Sequence, residues 1–153
     1  MNASKNILAG IMVSMALSLA AGAASDDSRY ILPPSSGTGA SLPFSEAVWS
    51  GNTLYVAGHL GLDPKTQQAP ADAALEAKLV LDGIQDTLKR AGLSMDDLVS
   101  VTVYCSDLKL YDSFNAVYKG YFHGNYPARA YIGVAALLRG AHFEVQGVAT
   151  KGH

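Results

Sequence analysis

The chain has 153 residues, 49% hydrophobic and 16% charged. That is enough apolar side chain for one buried core and too little length for two. Lys and Arg number 11 against 13 Asp and Glu, a formal charge of −2 with no basic block. This argues against a protein that grips nucleic acid through its phosphates. One cysteine excludes an internal disulfide, a cysteine-built zinc site and a CxxC redox pair.

Residues 1–23 read as a secretory signal peptide. Lys5 gives a weak positive start, residues 7–20 carry no charge, and Ala21-Gly22-Ala23 offers the small residues a signal peptidase reads. The expected location is therefore periplasmic or secreted, with the membrane met only transiently through the signal. The alternative is an uncleaved anchor, for which the apolar run is short and rich in Ala, Gly and Ser. Residues 24–42 follow as a flexible tether, because Pro33-Pro34 and the Ser/Gly run propagate neither helix nor central strand. Tyr30, Ile31 and Leu32 are its candidates for contact with the body. The folded domain is expected over 43–150.

Two β-prone runs, 47–50 and 53–57, flank Gly51-Asn52, a hairpin signal because both positions tolerate positive φ. Residues 58–70 read as loop, with a turn at Asp63-Pro64-Lys65-Thr66. Ala77, Val80, Leu81, Ile84, Leu88 and Ala91 then repeat at three and four, predicting an amphipathic helix capped by Asp72 and stopped at Gly92. Ser94 and Asp97 form a capping-box pattern. Residues 98–106 alternate, with Val99, Val101, Val103 and Cys105 on one face. A second helix is expected over 109–122, with an aromatic stripe of Tyr111, Phe114, Val117, Tyr118, Tyr121 and Phe122. Two strands close the chain, 128–134 and 141–149. The order ββαβαββ predicts an α+β fold: a two-layer sandwich with both helices on one face of a mixed sheet. The other sheet face needs a cover, and a second subunit is the natural one.

The chemistry-bearing residues are few. His59, His123, His142 and His153 form no HxH or HExxH pattern, so no metal site is expected. No serine sits in a GxSxG elbow, and Cys105, mid-strand on the apolar face, reads as a packing thiol. Arg129 and Glu144 stand out as charges inside apolar strands, where a charge is costly unless paired or used. If the last two strands form a hairpin about Leu137-Leu138, these two are close to cross-strand neighbours on one face. A structural salt bridge at the sheet rim and a functional pair both fit that spacing. Asn115 on its own reads as a surface or capping residue.

Pro127-Ala128-Arg129, followed by Glu144 fifteen residues after the arginine, resembles the Rid/YjgF family of reactive-intermediate deaminases. So do Gly51-Asn52-Thr53-Leu54-Tyr55-Val56-Ala57-Gly58, Leu62-Asp63-Pro64-Lys65-Thr66, Val101-Thr102-Val103-Tyr104 and Phe114-Asn115-Ala116-Val117-Tyr118. The likeness is ordered and runs over about 43–149. It implies a chorismate-mutase-like fold, a homotrimer with active sites in clefts between subunits, and hydrolysis of 2-imino or enamine acids to 2-keto acids and ammonia without a cofactor. Arg129 would then hold the substrate carboxylate in its two-pronged guanidinium, and Glu144 would orient or deprotonate the attacking water. Asn115 and the chain around Gly58 match family positions lining the cleft.

Three positions depart from the family pattern. Phe44 stands where a tyrosine is usual, Ala57-Gly58-His59 replaces Ser-Gly-Gln, and Tyr131 occupies a position where cysteine is common. Two hydroxyls are lost, and Tyr131 is expected to narrow the pocket. The expected function is an exported imine or enamine deaminase; the alternative is a non-catalytic trimer of the same fold that binds small carboxylates.

Overall fold

The computed structural model describes residues 29–33 and 42–152. The expected signal peptide, 1–23, and most of the tether lie outside the described residues. Among the described residues, six strands form one sheet: β1 (Tyr30–Ile31), β2 (Ala47–Ser50), β3 (Thr53–Leu60), β4 (Leu98–Cys105), β5 (Ala128–Gly133) and β6 (Phe143–Thr150), in the order β1-β2-β3-β6-β4-β5. Two helices, α1 (Ala73–Arg90) and α2 (Tyr111–Tyr118), complete the expected α+β sandwich. β1 precedes the expected domain start. Tyr30 and Ile31 pair with Val48 and Ala47, and Arg90 donates to the Leu32 carbonyl at 3.0 Å.

α1 follows from its sequence. The Asp72 side chain accepts from Ala74 N, and Gly92 just beyond the end takes φ +78°. Its stripe, Ala77, Val80, Leu81, Ile84 and Leu88, is buried against Trp49, Leu54, Val56, Val101, Val103, Phe143 and Val145 of the sheet. Two polar residues are buried with it, Glu76 and Thr87. The β2–β3 hairpin forms as expected, but Gly51 alone takes positive φ, +56°, which fits the first central position of a type II′ turn.

Other expectations shift. Residue 58 is not loop: β3 continues to Leu60 through a bulge, in which Ala57 and Gly58 together oppose Gln146, between the pairs Val56–Gly147 and His59–Val145. In β4 the register slips between Leu98 and Ser100, so Leu98 is buried and Val99 only half-buried. The second helical stretch is α-helical only over Tyr111–Tyr118, with 3₁₀ turns at Leu108–Leu110 and Lys119–Tyr121. The aromatic stripe divides: Phe114 and Tyr118 are buried, while Tyr111 is exposed.

The largest correction concerns the last two strands, which do not form a hairpin. β5 runs parallel to β4, and β4 also pairs antiparallel with β6, so β4 lies between them. The connection 134–142 passes over the end of β4, where Val134 N donates to the Cys105 carbonyl and Ser106 N to that of His142. It turns at Leu138–Gly140, with Arg139 at φ +57°.

Candidate active site

The interposed strand separates Arg129 from Glu144. Arg129 pairs with Val101 and Tyr131 with Val103, both buried under the helices, so Arg129 and Tyr131 point to the helix side. Glu144 lies between buried Phe143 and Val145 and pairs with Tyr104 and Leu60, so it points to the open face. Two strand spacings, about 10 Å, and the sheet itself stand between the two groups. Neither a cross-strand pair nor a rim salt bridge forms within one chain.

Arg129 faces a pocket of about 390 Å³ lined by Tyr111, Asn115, Tyr118, Lys119, Tyr126 and Pro127. α2 supplies one face of it, because positions 111, 115 and 118 stand at i, i+4 and i+7, and Lys119 follows in the 3₁₀ turn that continues the helix. Arg129 Nη2 donates to Asn115 Oδ1 at 2.8 Å, so Asn115 orients the guanidinium instead of capping a helix. The Arg129 Cζ lies 4.6 Å from the ring centre of Tyr118, 5.8 Å from Tyr131 and 5.9 Å from Tyr111, which holds the cation over aromatic faces. Burial pushes the Tyr118 phenol up to about 12, against the opposing pull of Arg129. Among the described residues no carboxylate lies within ion-pair distance of Arg129. A guanidinium has five N–H donors, and Asn115 takes one. The pocket thus presents a half-buried cation, two-pronged and without an anion.

Glu144 belongs to a second cluster. A Cβ on Gly58 would collide with Glu144 Oε1. Gly58 is not at positive φ, so space is the reason for glycine there. The carboxylate therefore lies flat against the β3 bulge on the open face.

Two expected site residues sit differently. Tyr131 does not line the pocket. It packs beneath Arg129, edge-on to Tyr111 at 4.9 Å and to Phe114 at 5.7 Å, because its strand position places it over the core. Burial beside Cys105 pushes its phenol well above the ordinary value. Phe44 is half exposed ahead of β2 and does not line the Arg129 pocket. Cys105 is a buried thiol donating to the Asp107 carbonyl at 3.0 Å. Sequence reasoning missed Lys119 and Tyr126 altogether and placed Tyr111 and Tyr118 in a core stripe. The signal available was Asn115 in the middle of that stripe, since a polar residue there marks a face turned toward something other than core.

Comparison with known proteins extends these observations. The family profile described as Endoribonuclease L-PSP matches residues 36–151. The chain is 40% identical over 111 residues to the mouse 2-iminobutanoate/2-iminopropanoate deaminase, covering 72% of this chain and 82% of that one. Its fold superposes on the E. coli YjgF gene product with a TM-score of 0.68 at 32% identity, over 72% of this chain and 89% of the other. It superposes on E. coli TdcF with bound serine with a TM-score of 0.69 at 30% identity, over 74% and 91%. A match over three quarters of the sequence, with the ordered motifs and the same fold, means that the chain belongs to the Endoribonuclease L-PSP family, the Rid/YjgF family its motifs resemble.

Proposed function

We propose that the protein hydrolyses reactive 2-imino and enamine acids to 2-keto acids and ammonia, in sites shared between subunits of a homotrimer. The observation that carries this reading is the Arg129 guanidinium, set in a pocket with no carboxylate partner. A small 2-imino carboxylate fits it: its carboxylate takes the two-pronged donor and its C=N carbon is already electrophilic. Relatives named for 2-iminobutanoate and 2-iminopropanoate and a family structure that holds serine support a small amino-acid-like ligand.

The chemistry needs a positioned water and a proton route. Water oxygen bonds to the imine carbon, the C=N pair moves to nitrogen, and Glu144 takes the water proton and relays one to nitrogen. The carbinolamine then collapses: Glu144 takes the hydroxyl proton and passes one to nitrogen, and C=O forms as the C–N bond breaks and ammonia leaves. An enamine first takes a proton on its β-carbon and gives up one from nitrogen to become the imine. Arg129 and Glu144 on opposite faces of one sheet cannot share a substrate within one chain. A threefold arrangement that sets the Arg129 edge of one subunit against the open face of the next joins them, and it also covers that face, where Tyr55 is 54% exposed and Ile132 42%. A net charge of −2 supports a small molecule over RNA as the substrate.

Steady-state kinetics on freshly generated 2-iminopropanoate tests the assignment. Arg129→Lys keeps the charge and loses the fork, so kcat/KM should fall about 100-fold or more. Glu144→Gln should lose mainly kcat. Both should melt close to the unaltered protein. Carboxylate binding without turnover in the unaltered protein would mark a binding module instead, and undiminished rates from Arg129→Lys would remove the clamp.

We also propose that the chain is exported and processed, on the strength of Lys5, the uncharged run and Ala21-Gly22-Ala23. The intact mass of protein from its native host should begin at Ala24 or Ser25. A chain that retains Met1 would exclude cleavage.

A further inference from the structure

A line of polar side chains crosses the apolar layer between α1 and the sheet and ends at the bulge that carries Gly58. Arg90 Nη2 donates to Glu46 Oε2 at 2.5 Å. Thr87 Oγ1, buried in the core, lies 3.0 Å from His59 Nε2 and 3.3 Å from Glu46 Oε2. His59 Nδ1 lies 2.9 Å from the Ala57 carbonyl. A carbonyl only accepts, so His59 Nδ1 carries a proton and donates it to Ala57. Thr87 Oγ1 donates to Glu46 Oε2, and Arg90 donates to the same carboxylate oxygen.

A bulge takes one residue out of the ladder, and its backbone groups still need partners. Ala57 N donates to the Glu46 carbonyl at 2.8 Å, and the Ala57 carbonyl is taken by the His59 ring. The ring has room because residue 83 on α1 is glycine: a Cβ there would stand 3.0 Å from His59 Cδ2. The bulged backbone is the surface against which Glu144 rests.

We propose that His59 is a positioning residue for Glu144: its Nδ1–H fixes the Ala57 carbonyl, and with it the Gly58 backbone that sets the direction of the Glu144 carboxylate. This rests on the imine-hydrolysis reading for its kinetic consequence but not for its geometry. His59 touches neither the Arg129 pocket nor a substrate bound there, so its effect belongs in kcat and not in carboxylate binding.

Two substitutions of His59 separate this from a packing role. His59→Asn keeps a donor within reach of the Ala57 carbonyl, and His59→Phe fills the space with no polar atom. Both lose the Thr87 bond, so their melting temperatures should fall alike. His59→Phe should lower kcat about tenfold or more with KM within about threefold, and His59→Asn should stay within about threefold of the unaltered rate. Equal kinetics in the two variants, whether both unchanged or both reduced in step with their melts, would overturn the proposal. Nitrogen NMR of His59 gives a readout independent of turnover. A proton on Nδ1, with Gly58 and Glu144 amide shifts moved by Phe and restored by Asn, supports the positioning role even if the unaltered protein hydrolyses no imine, a result that would remove only the function proposed above. A proton on Nε2 alone, or shifts moved equally by both variants, would overturn it.

Discussion

Gly58 shows how a single residue can be dictated by its neighbour across the sheet. A Cβ at this position would occupy the place of Glu144 Oε1, and nothing in its backbone angles demands glycine. Gly58→Ala should therefore fold, because the displaced group is the end of a flexible side chain, yet the carboxylate must swing away from the bulge. A fall in kcat of about tenfold or more is expected, with a melting temperature close to that of the unaltered protein. Kinetics and melts together check this; an alanine variant with full kcat would mean that the carboxylate direction does not matter to turnover. Arg129 is the complementary case. Aromatic faces and one amide hold the cation while its remaining donors stay available, the state that the proposed carboxylate clamp requires.

Between elements, the firmest polar link ties α1 to the start of β6. Glu76 is fully buried in the first turn of α1, where its charge also suits the helix dipole. Its Oε1 accepts from His142 N at 2.6 Å and Phe143 N at 2.8 Å, and its Oε2 lies 2.6 Å from His142 Nδ1. The chain has just crossed over β4 here, and these bonds pin the incoming strand so that Glu144 follows in register. Glu76→Ala leaves two backbone donors, those of half-buried His142 and buried Phe143, without a partner and should cost about 2–4 kcal/mol. Glu76→Gln keeps an acceptor for both and should cost about 1 kcal/mol or less. Urea denaturation of the two variants measures the difference; an alanine variant as stable as the glutamine one would show that the link is not structural.

At the scale of the whole molecule, Arg129 and Glu144 face away from each other across one sheet. The proposed joining of the two between subunits has a consequence that kinetics can read. Arg129→Leu and Glu144→Gln trimers should each be nearly inactive. Co-assembled in equal amounts, they should regain activity, because about one interface in four pairs an intact Arg129 with an intact Glu144 from the neighbouring chain. Light scattering should report a trimer for each variant and for the mixture. Activity that stays at the level of the separate variants, in trimers shown to be mixed, would exclude a shared site.

Much of this was legible in the sequence. The period of α1, its Asp72 cap and Gly92 stop, the Ser94–Asp97 capping box and the Gly51-Asn52 hairpin are local patterns, decided by side chains within a few residues of one another. The ordered motifs sufficed for the family, and Arg129, Asn115, Gly58 and Glu144 were all singled out. What the sequence could not decide was how the pieces pair. Adjacent strands in the chain are by default a hairpin; here β4 is inserted between β5 and β6, because the parallel β4–β5 pairing and the connection over the end of β4 lie outside any local pattern. That one non-local choice turns Arg129 and Glu144 to opposite faces. It also decides that Tyr131 packs under the guanidinium, that the glycine of the expected loop lies in a strand bulge, and that half-buried His59 and buried Thr87 and Glu76 have polar partners. Period and composition report which side of an element is apolar; only the tertiary pairing determines which elements meet there, and so which chemical groups do.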